Sequence, residues 1–144
     1  MKAELITIGD EILLGKVINT NAAYIGEKLS RIGVWLRQQI TVPDEREVLA
    51  EVLAASLERC DVVITTGGLG PTRDDTTKSV LAELFHTRLV RDEAVLEDLW
   101  ERYGQELPAV VLTQAEVPES AVVIPNSVGT APGLIFEKGE KRLV

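Results

Sequence analysis

The sequence has few of the residues that build disulfides, histidine-based metal sites and membrane spans. It contains one cysteine, Cys60, and one histidine, His86, among 144 residues. A single cysteine excludes an internal disulfide and a cysteine-rich zinc site. A single histidine argues against a histidine-based metal site and against a Ser-His triad. No apolar run approaches the roughly 20 residues that span a bilayer, so we expect no membrane partner.

Positive charge is also scarce and dispersed. The chain has 15 Lys and Arg residues against 23 Asp and Glu residues, a formal net charge of -8. Binding to a phosphate backbone needs a clustered basic face, so we expect no nucleic-acid partner. A small anionic ligand remains compatible with this charge, because backbone N–H groups can hold it. The first residues run directly into a strand-like segment without a signal peptide, which predicts a cytoplasmic protein.

Strand and helix patterns alternate along the chain. Strands are predicted at residues 5–8, 34–42, 62–66 and 121–124, with a hairpin around residues 138–139. Helices are predicted between them, including one that ends at Gly33 and one that ends at Gly104. This order predicts an α/β fold: a three-layer sandwich with a mainly parallel central sheet, helices on both faces and a small hairpin. We expect one domain over residues 1–144, truncated at its C-terminal end, because the chain stops inside a predicted strand.

Side chains that cap helices mark where several of these helices begin. Asn19, Thr20 and Asn21 are N-cap candidates for one helix, and Asp92 starts another, each before an apolar periodic segment. The same pattern predicts caps at Asp44 and at Asp74 or Asp75. Trp35 and Trp100 lie in periodic segments and are predicted to pack in the interior. The same is predicted for one apolar helical face. That face consists of Tyr24, Ile25, Leu29 and Ile32.

Acidic residues follow three predicted strands. In an open α/β sheet, ligands bind beyond the carboxyl ends of the strands. The acids at these ends are Asp10, Glu11, Asp44, Asp74 and Asp75. Clustered carboxylates suggest a hard divalent cation such as Mg²⁺, which bridges protein carboxylate to substrate phosphate and can activate water. Two plainer readings stay open: helix capping for the three aspartates near helix starts, and a solvated turn for residues 10–11.

A glycine-rich loop follows the strand at residues 62–66. Gly67, Gly68 and Gly70 permit positive φ and close approach of the backbone to a phosphate group. The loop lacks the Lys-Ser/Thr pair of a Walker loop and the spacing of the dinucleotide fingerprint. Arg73, inside the loop, is a candidate phosphate partner. The alternative is a tight strand-to-helix turn with no ligand.

The chain resembles the CinA (competence/damage-inducible protein) family, through several motifs in the same order. The motifs are Gly-Asp-Glu-Ile-Leu-Leu-Gly at residues 9–15, Asn-Thr-Asn at 19–21, Thr-Thr-Gly-Gly-Leu-Gly-Pro-Thr-Arg-Asp-Asp-Thr-Thr at 65–77, Pro-Asn at 125–126 and Gly-Thr-Ala-Pro-Gly at 129–133. The resemblance implies the amino-terminal domain of that family, with the molybdopterin-binding fold shared with MoaB and MogA. It also implies an ADP-ribose pyrophosphatase that depends on a divalent cation (Mg²⁺, Mn²⁺ or Co²⁺), with potassium also implicated.

The same resemblance assigns expected roles to single residues. The Val-Pro-Asp-Glu segment at residues 42–45 matches an Ile-Pro-Asp-Glu segment of MogA-like relatives, and this gives Asp44 a catalytic role. The Arg-Asp-x-Thr pattern selects Asp75 as the second catalytic aspartate, with Thr77 beside it. The expected phosphate or nucleotide contacts are Gly67, Gly68, Gly70, Pro71, Arg73 and Thr77, and the expected metal ligands are Asp75, Asp44, Asp10 and Glu11.

Two departures from the family pattern bear on function. Leu69 stands where the molybdopterin relatives carry Thr, which favours CinA over cofactor synthesis. The sequence ends at Val144, before a Leu-Pro-Gly-Pro-Pro-type loop and before the nicotinamide-mononucleotide amidase domain that this domain normally precedes. Three functions are therefore weighed: a nucleotide pyrophosphatase, a molybdopterin-binding or adenylyl-transfer domain, and a non-catalytic oligomerisation or regulatory domain of an amidase. The resemblance further implies a homo-oligomer and a small nucleotide or pterin ligand.

Overall fold

The computed structural model describes residues 1–72 and 75–144. Strands and helices alternate through most of this length. In chain order the elements are β1 (Ala3–Ile8), α1 (Asp10–Leu13), α2 (Thr20–Arg31), β2 (Leu36–Val42), α3 (Arg46–Arg59), β3 (Val62–Thr66), α4 (Thr77–Leu84), β4 (Leu89–Arg91), α5 (Glu93–Tyr103), α6 (Ala109–Leu112), a 3-10 turn (Thr113–Ala115), β5 (Glu116–Pro118), β6 (Val122–Ile124), β7 (Gly133–Lys138) and β8 (Lys141–Leu143).

The main sheet has six strands in the order β2-β1-β3-β8-β7-β6. Strand β1 pairs in parallel with β2 and β3, and β3 pairs in parallel with β8. The predicted hairpin forms from β7 and β8, and β6 adds an antiparallel strand at the edge. The α/β class, the mainly parallel sheet and the hairpin are thus confirmed. A second, two-stranded sheet of β4 and β5 was not predicted from the sequence.

The core lies on both faces of β1, an interior strand of the sheet. All six residues of β1 are buried, which requires cover on both sides of the sheet. On one side α3 contributes a stripe of three fully buried leucines, Leu49, Leu53 and Leu57. Near the hairpin, Phe85 stacks on Phe136 with ring centroids 4.4 Å apart. A rigid central sheet therefore fixes the positions of the loops at its carboxyl edge.

Two of the predicted caps are confirmed and two are wrong. Asn19 Oδ1 accepts from the Ala22 amide at 3.0 Å, and Asp92 Oδ1 accepts from the Val95 amide at 3.0 Å. Glu45, not Asp44, precedes α3, and Thr76, not Asp75, precedes α4; neither makes a side-chain cap bond. Both aspartates bond elsewhere in the carboxyl-edge loops. The alternative cap, Asp74, lies outside the described residues.

The prediction that the apolar face of α2 packs in the interior is wrong in part. Tyr24 and Ile32 are exposed, and Trp35, in the turn before β2, is 73% exposed. Ile25 and Leu29 are only partly buried. Trp100, also predicted to be interior, is exposed as well. The apolar face of α2 is uncovered because α2 lies at the outer strand β2, where the described residues of the chain provide no further layer.

The described helices are short. The longest, α3, has 14 residues, and none of those in the described ranges has the length and apolar character needed to cross a bilayer.

Candidate functional site

Parallel strands β1 and β3 place their carboxyl ends side by side, and a cleft opens there. Its volume is about 250 Å³. The lining residues are Ile8, Gly9, Glu11, Asp44, Gly67, Gly68, Thr72 and Asp75. We call this the carboxylate cleft. It brings together three of the predicted acidic residues, Glu11, Asp44 and Asp75, with two glycines of the loop, whereas Asp10 does not line it.

Asp10 and Asp44 hold the ends of β1 and β2 together. The Asp10 amide donates to Asp44 Oδ2 at 3.0 Å, and the Asp44 amide donates to Asp10 Oδ1 at 3.4 Å. This reciprocal pair fixes the orientation of the Asp44 carboxylate at the wall of the cleft. Asp10, a predicted metal ligand, is therefore placed to position Asp44.

Asp75 is fixed by the loop that precedes it. Its Oδ2 accepts from the Thr72 amide at 2.9 Å and from the Thr72 hydroxyl. Burial raises the pKa of the Asp75 carboxyl, but the bonds from Thr72, the Gly70 amide and the nearby Lys78 charge outweigh it. The net result is a pKa below the ordinary value for Asp. Asp75 is therefore an anion at neutral pH, as a metal ligand must be.

The glycine loop is tightly packed behind the cleft. Gly67 has φ 110° and Gly68 has φ 64°. A Cβ on Gly67 would lie 2.1 Å from the Ile8 carbonyl oxygen, and one on Gly68 would lie 2.2 Å from Thr77 Oγ1. The plainer reading of the loop as a tight turn is thus correct for its packing, and it does not exclude a ligand on the other side.

Thr77 closes the loop from its buried side. Its hydroxyl donates to the Gly67 carbonyl at 3.1 Å, and its amide donates to the Gly68 carbonyl at 3.2 Å. The residue is fully buried. It therefore positions the loop, and its hydroxyl is not directed to the carboxylate cleft. Arg73, predicted to contact phosphate, lies outside the described residues.

Two smaller clefts adjoin the carboxylate cleft along the same edge of the sheet, each of about 150 Å³. One shares Ile8, Glu11 and Gly67 with it and extends toward the start of α2. The other shares Thr72 and Asp75 and continues past α4; it is lined by the predicted contacts Gly70 and Pro71, and by Lys78, Ser79, Leu89, Thr113 and Glu116. A continuous row of clefts can accept an elongated ligand.

Lys78 is a cationic residue of the site that the sequence analysis missed. Its Nζ donates to the carbonyls of Thr113 at 2.9 Å and Glu116 at 3.1 Å. Burial lowers its pKa, and the charges of Glu116 and Asp75 partly offset that effect. Its position three residues after Asp75, on the first turn of α4, was the available signal. An ammonium group has three donors, so one remains for a ligand.

Asn19 is a second site residue for which the sequence predicted only a helix cap. Besides capping α2, its Nδ2 donates to Thr7 Oγ1 at 2.9 Å. Both residues line the cleft toward α2. These two hydrogen bonds of Asn19 therefore tie the start of α2 to the carboxyl end of β1.

The site residues suit a cation shared with a ligand better than a cation held by protein alone. In the described ranges, no three Asp, Glu, His or Cys side chains are close enough to hold a metal ion. Mg²⁺ is commonly bound by one or two carboxylates together with substrate phosphates. Asp44 and Asp75 on one cleft supply that donor set. The identity of the cation, and the role of potassium, stay predictions.

Comparisons with known proteins agree on one family. Residues 4–144 match the family described as "Probable molybdopterin binding domain". The chain is 46% identical over 140 residues to the CinA-like protein of Chloroherpeton thalassium, which covers 95% of this chain and 33% of that protein. It is 44% identical over 147 residues to a "Putative competence-damage inducible protein" of Desulforudis audaxviator, covering 100% of this chain and 36% of that protein. The chain spans about a third of the length of these curated relatives.

Solved structures give the same picture. The protein CinA of Thermoplasma acidophilum, described as of unknown function, is 40% identical with a TM-score of 0.91, covering 99% of this chain and 85% of that one. The tungsten cofactor synthesizing protein MoaB of Pyrococcus furiosus is 25% identical with a TM-score of 0.61, covering 99% and 77% of the two chains. The fold is therefore shared with a protein described as of unknown function and with one named for cofactor synthesis.

Proposed function

The chain belongs to the "Probable molybdopterin binding domain" family and, within it, to the CinA-like proteins, and we propose that it is a metal-dependent nucleotide pyrophosphatase. Its substrate in this proposal is ADP-ribose or a related pyridine-nucleotide metabolite, and the products are AMP and ribose 5-phosphate. Membership fixes the fold, whereas function depends on the site. The proposal therefore stands on the residues of the carboxylate cleft.

One observation carries the proposal: Asp44 and Asp75 line the same cleft as the glycine loop. Asp75 has a lowered pKa, and Asp44 is held in place by the Asp10 amide. Two oriented carboxylates beside a backbone that approaches closely are the elements needed to hold a cation and a pyrophosphate together. The adjoining clefts leave room for the two sugars on either side.

The residues of the chain have separate roles in this reaction. Asp44 and Asp75 would hold the cation, which would supply Lewis-acid polarisation of the phosphorus centre. Glu11, on the same cleft, takes the proton of the attacking water. A P–O bond to the water oxygen forms at one phosphorus, and the bond from that phosphorus to the bridging oxygen breaks, so that the other phosphate monoester leaves; the two products are AMP and ribose 5-phosphate. Lys78 offers its third N–H to the negative charge that develops on the phosphates.

The test is release of AMP from ADP-ribose by the purified chain with Mg²⁺, Mn²⁺ or Co²⁺. We expect metal-dependent release, and a loss of about 100-fold or more in the Asp75→Asn variant, since that change removes a charged ligand. Asp92→Asn is the matched control, because Asp92 caps a distant helix and Asn is an equally good cap. Absence of release from folded protein with all three metals would contradict the proposal, as would equal losses in the two variants.

Pterin binding is the second candidate, and a specific observation favours it. The chain shares its fold and 25% identity with a MoaB that is named for tungsten cofactor synthesis. The cleft toward α2 adds hydrogen-bonding groups from Thr7, Asn19 and Asn21, which suit a polar ring system. Titration with molybdopterin and with ADP-ribose, followed by calorimetry, separates the two. Tight binding of the pterin without any nucleotide hydrolysis would favour this second reading.

A further inference from the structure

Of the two smaller clefts beside the carboxylate cleft, the one that continues past α4 is the more polar. Its lining includes two apolar side chains, Pro71 and Leu89, whereas Lys78, Thr113 and Glu116 bring charged or hydroxyl groups to it. We call it the Lys78 cleft. The cleft toward α2 has four apolar lining residues: Ile8, Ile12, Val17 and Ile18. The two clefts therefore suit different halves of an elongated ligand.

Two hydrogen bonds of Lys78 fix the walls of this cleft. Its Nζ donates to the carbonyls of Thr113 at 2.9 Å and Glu116 at 3.1 Å. These bonds join α4 to the 3-10 turn and to β5, which form the opposite wall. The Lys78 cleft shares Thr72 and Asp75 with the carboxylate cleft. Glu116 is therefore held at a fixed position relative to the place where the pyrophosphate is proposed to bind.

The Glu116 carboxylate is a free acceptor on the wall of the Lys78 cleft. Glu116 is exposed. Within the described ranges its carboxylate has no hydrogen bond and no ion pair, although Arg91 lies opposite it in the pair of β4 and β5. Its charge acts on Lys78 and partly offsets the effect of burial on the Lys78 pKa, so the carboxylate lies near the ammonium group. Both of its oxygens are therefore available to donors of a ligand.

A carboxylate at this position favours hydroxyl groups and disfavours a further phosphate. Its two oxygens can accept from two adjacent hydroxyls, and an acidic side chain binds ribose in this way in dinucleotide-binding folds. A phosphate carried by the same sugar carbons would meet a like charge instead. A ribose whose 5-phosphate lies in the carboxylate cleft presents its adjacent hydroxyls on the far side of the sugar ring, toward a neighbouring cleft. Glu116 is therefore suited to recognise a ribose diol.

Polarity decides which half of ADP-ribose fits which cleft, because both clefts have volumes of about 150 Å³. The faces of adenine gain from apolar contact, and the cleft toward α2 offers Ile12, Val17 and Ile18 for it. The exposed Asn21 lines the same cleft, and an Asn side chain can pair with N6 and N7 of adenine. The terminal ribose carries hydroxyls and no base, so it fits the polar Lys78 cleft.

We propose that the Lys78 cleft binds the terminal ribose of ADP-ribose, and that Glu116 is a specificity-determining residue that accepts hydrogen bonds from two adjacent hydroxyls of that sugar. This inference rests on the proposed pyrophosphatase function and adds an orientation to it. The ribose 5-phosphate half lies beside α4, and the AMP half lies beside α2. The Asn-Thr-Asn motif at residues 19–21 then lines the cleft that receives the base, a role that the reaction itself does not give it.

The test compares ribose 5-phosphate with 2-deoxyribose 5-phosphate, which lacks one hydroxyl of the pair. Each is titrated with Mg²⁺ into the ¹⁵N-labelled chain and followed by NMR, and AMP is titrated in parallel. We expect ribose 5-phosphate to shift the amide signals of Leu89, Thr113 and Glu116 and to bind about tenfold more tightly than the deoxy compound. AMP should shift those of Val17 and Asn21. Equal affinities of the two sugar phosphates, or the reverse pattern of shifts, would overturn the proposal.

A variant of Glu116 isolates the contribution of the carboxylate. Removing its charge also changes the attraction of the phosphate group, so the quantity measured is the ratio of the two affinities, in which the phosphate cancels. Glu116→Ala should reduce that ratio from about tenfold to about one. Glu97→Ala removes the same charge from an exposed position on α5 and should leave the ratio unchanged. Melting curves show that both variants are folded, and a ratio retained by folded Glu116→Ala would overturn the proposal.

A separate assay of AMP release from ADP-ribose distinguishes this inference from the proposed reaction. Release of AMP together with equal affinities for the two sugar phosphates would leave the reaction standing and overturn the role of Glu116. A preference for ribose that depends on Glu116, without any release of AMP, would support the ribose site and contradict the reaction. Absence of ribose 5-phosphate binding would overturn the ribose site, whatever the release assay shows.

Discussion

Glu4 is the most strongly perturbed ionisable residue that the structure places away from the clefts. It lies on the central strand β1, is 1% exposed, and accepts from Arg59 Nε and Nη2, each at 2.7 Å. The hydrogen bond with Arg59 lowers its pKa to about 2, against the opposing effect of burial. This bidentate ion pair at a fully buried carboxylate joins α3 to the sheet, and its role is structural.

This pair predicts a loss of stability in acid. Because the folded pKa of Glu4 lies below its unfolded value of 4.5, the contribution is present above pH 4.5 and is lost as the pH falls toward 2. The shift corresponds to roughly 2–3 kcal/mol, reduced by solvent screening at the partly exposed Arg59. Urea unfolding of the chain and of Glu4→Gln between pH 7 and 2.5 measures it. The difference in the free energy of unfolding between the two proteins should narrow as the pH falls. A difference that stays constant with pH would contradict the assignment.

Gln114 is a second buried polar residue with an unusual environment. It is fully buried, and neither its Nε2 nor its Oε1 has a hydrogen-bond partner among the described residues. Replacing it with an apolar residue of similar length removes an unsatisfied amide, so Gln114→Met should raise the free energy of unfolding by about 1 kcal/mol. The exposed Gln105→Met is the control and should change it by less than about 0.5 kcal/mol. Destabilisation by Gln114→Met would mean that the amide is satisfied in solution.

At the scale of elements, the glycine loop is the segment most sensitive to substitution. Gly68 and Gly139 have almost the same backbone angle, φ 64° and 63°. A Cβ on Gly68 would collide with Thr77 Oγ1, whereas one on Gly139 would meet nothing within 4 Å. The pair therefore separates the cost of the backbone angle from the cost of the contact.

We expect Gly139→Ala to cost about 1 kcal/mol, which is the ordinary penalty of a left-handed alanine. Gly68→Ala should cost about 3 kcal/mol or more, because Thr77 must also move and release its bond to the loop. Denaturant unfolding of both variants measures the difference. Equal penalties in the two variants would show that the loop is not closely packed against Thr77.

The elements also show which features the sequence could predict. The cap of α2 was predicted to lie among Asn19, Thr20 and Asn21, and that of α5 at Asp92, because a cap is a local bond between residues three apart. The Asp44 cap was wrong because its carboxylate bonds to an amide 34 residues earlier in the chain, which no local pattern records. The pairing of β4 with β5 was missed for the same reason, since these strands of three residues are separated by two helices and a 3-10 turn.

The same division holds for the candidate site. Strand ends and a glycine loop predicted where Glu11, Asp44 and Asp75 meet, because parallel strands align their carboxyl ends. Lys78 was missed although it follows Asp75 by three residues, because its two acceptors are carbonyls on a distant segment of the chain. Thr77 was expected to contact the ligand. The packing shows instead that its hydroxyl donates to the Gly67 carbonyl on the buried side of the loop.

At the scale of the whole molecule, apolar surface remains uncovered. The segment that follows α1 exposes Leu14, Val17 and Ile18, the last to 84%. Neighbouring exposed apolar side chains are a feature of interfaces between proteins. Val17 and Ile18 also line the cleft toward α2, so a partner bound there would border the site. This supports the expectation of a homo-oligomer.

We predict that the chain self-associates through this segment. Sedimentation equilibrium should show a species larger than 15.7 kDa, and Ile18→Glu should shift it toward the monomer, because a charge is costly in an apolar interface. Val128→Glu, at a residue that is exposed elsewhere, is the matched control and should leave the mass unchanged. A monomer at every concentration would contradict the prediction.

The central claim is that a divalent cation and a pyrophosphate meet at the carboxylate cleft, and paramagnetic relaxation tests it most directly. Mn²⁺ is added to the ¹⁵N-labelled chain together with a methylene-bridged, non-hydrolysable analogue of ADP-ribose. We predict that the amide signals of Gly9, Glu11, Gly68 and Thr72 broaden first, only when both are present, and that Asp75→Asn abolishes the effect. Broadening centred on other residues, or broadening unchanged in Asp75→Asn, would contradict the account.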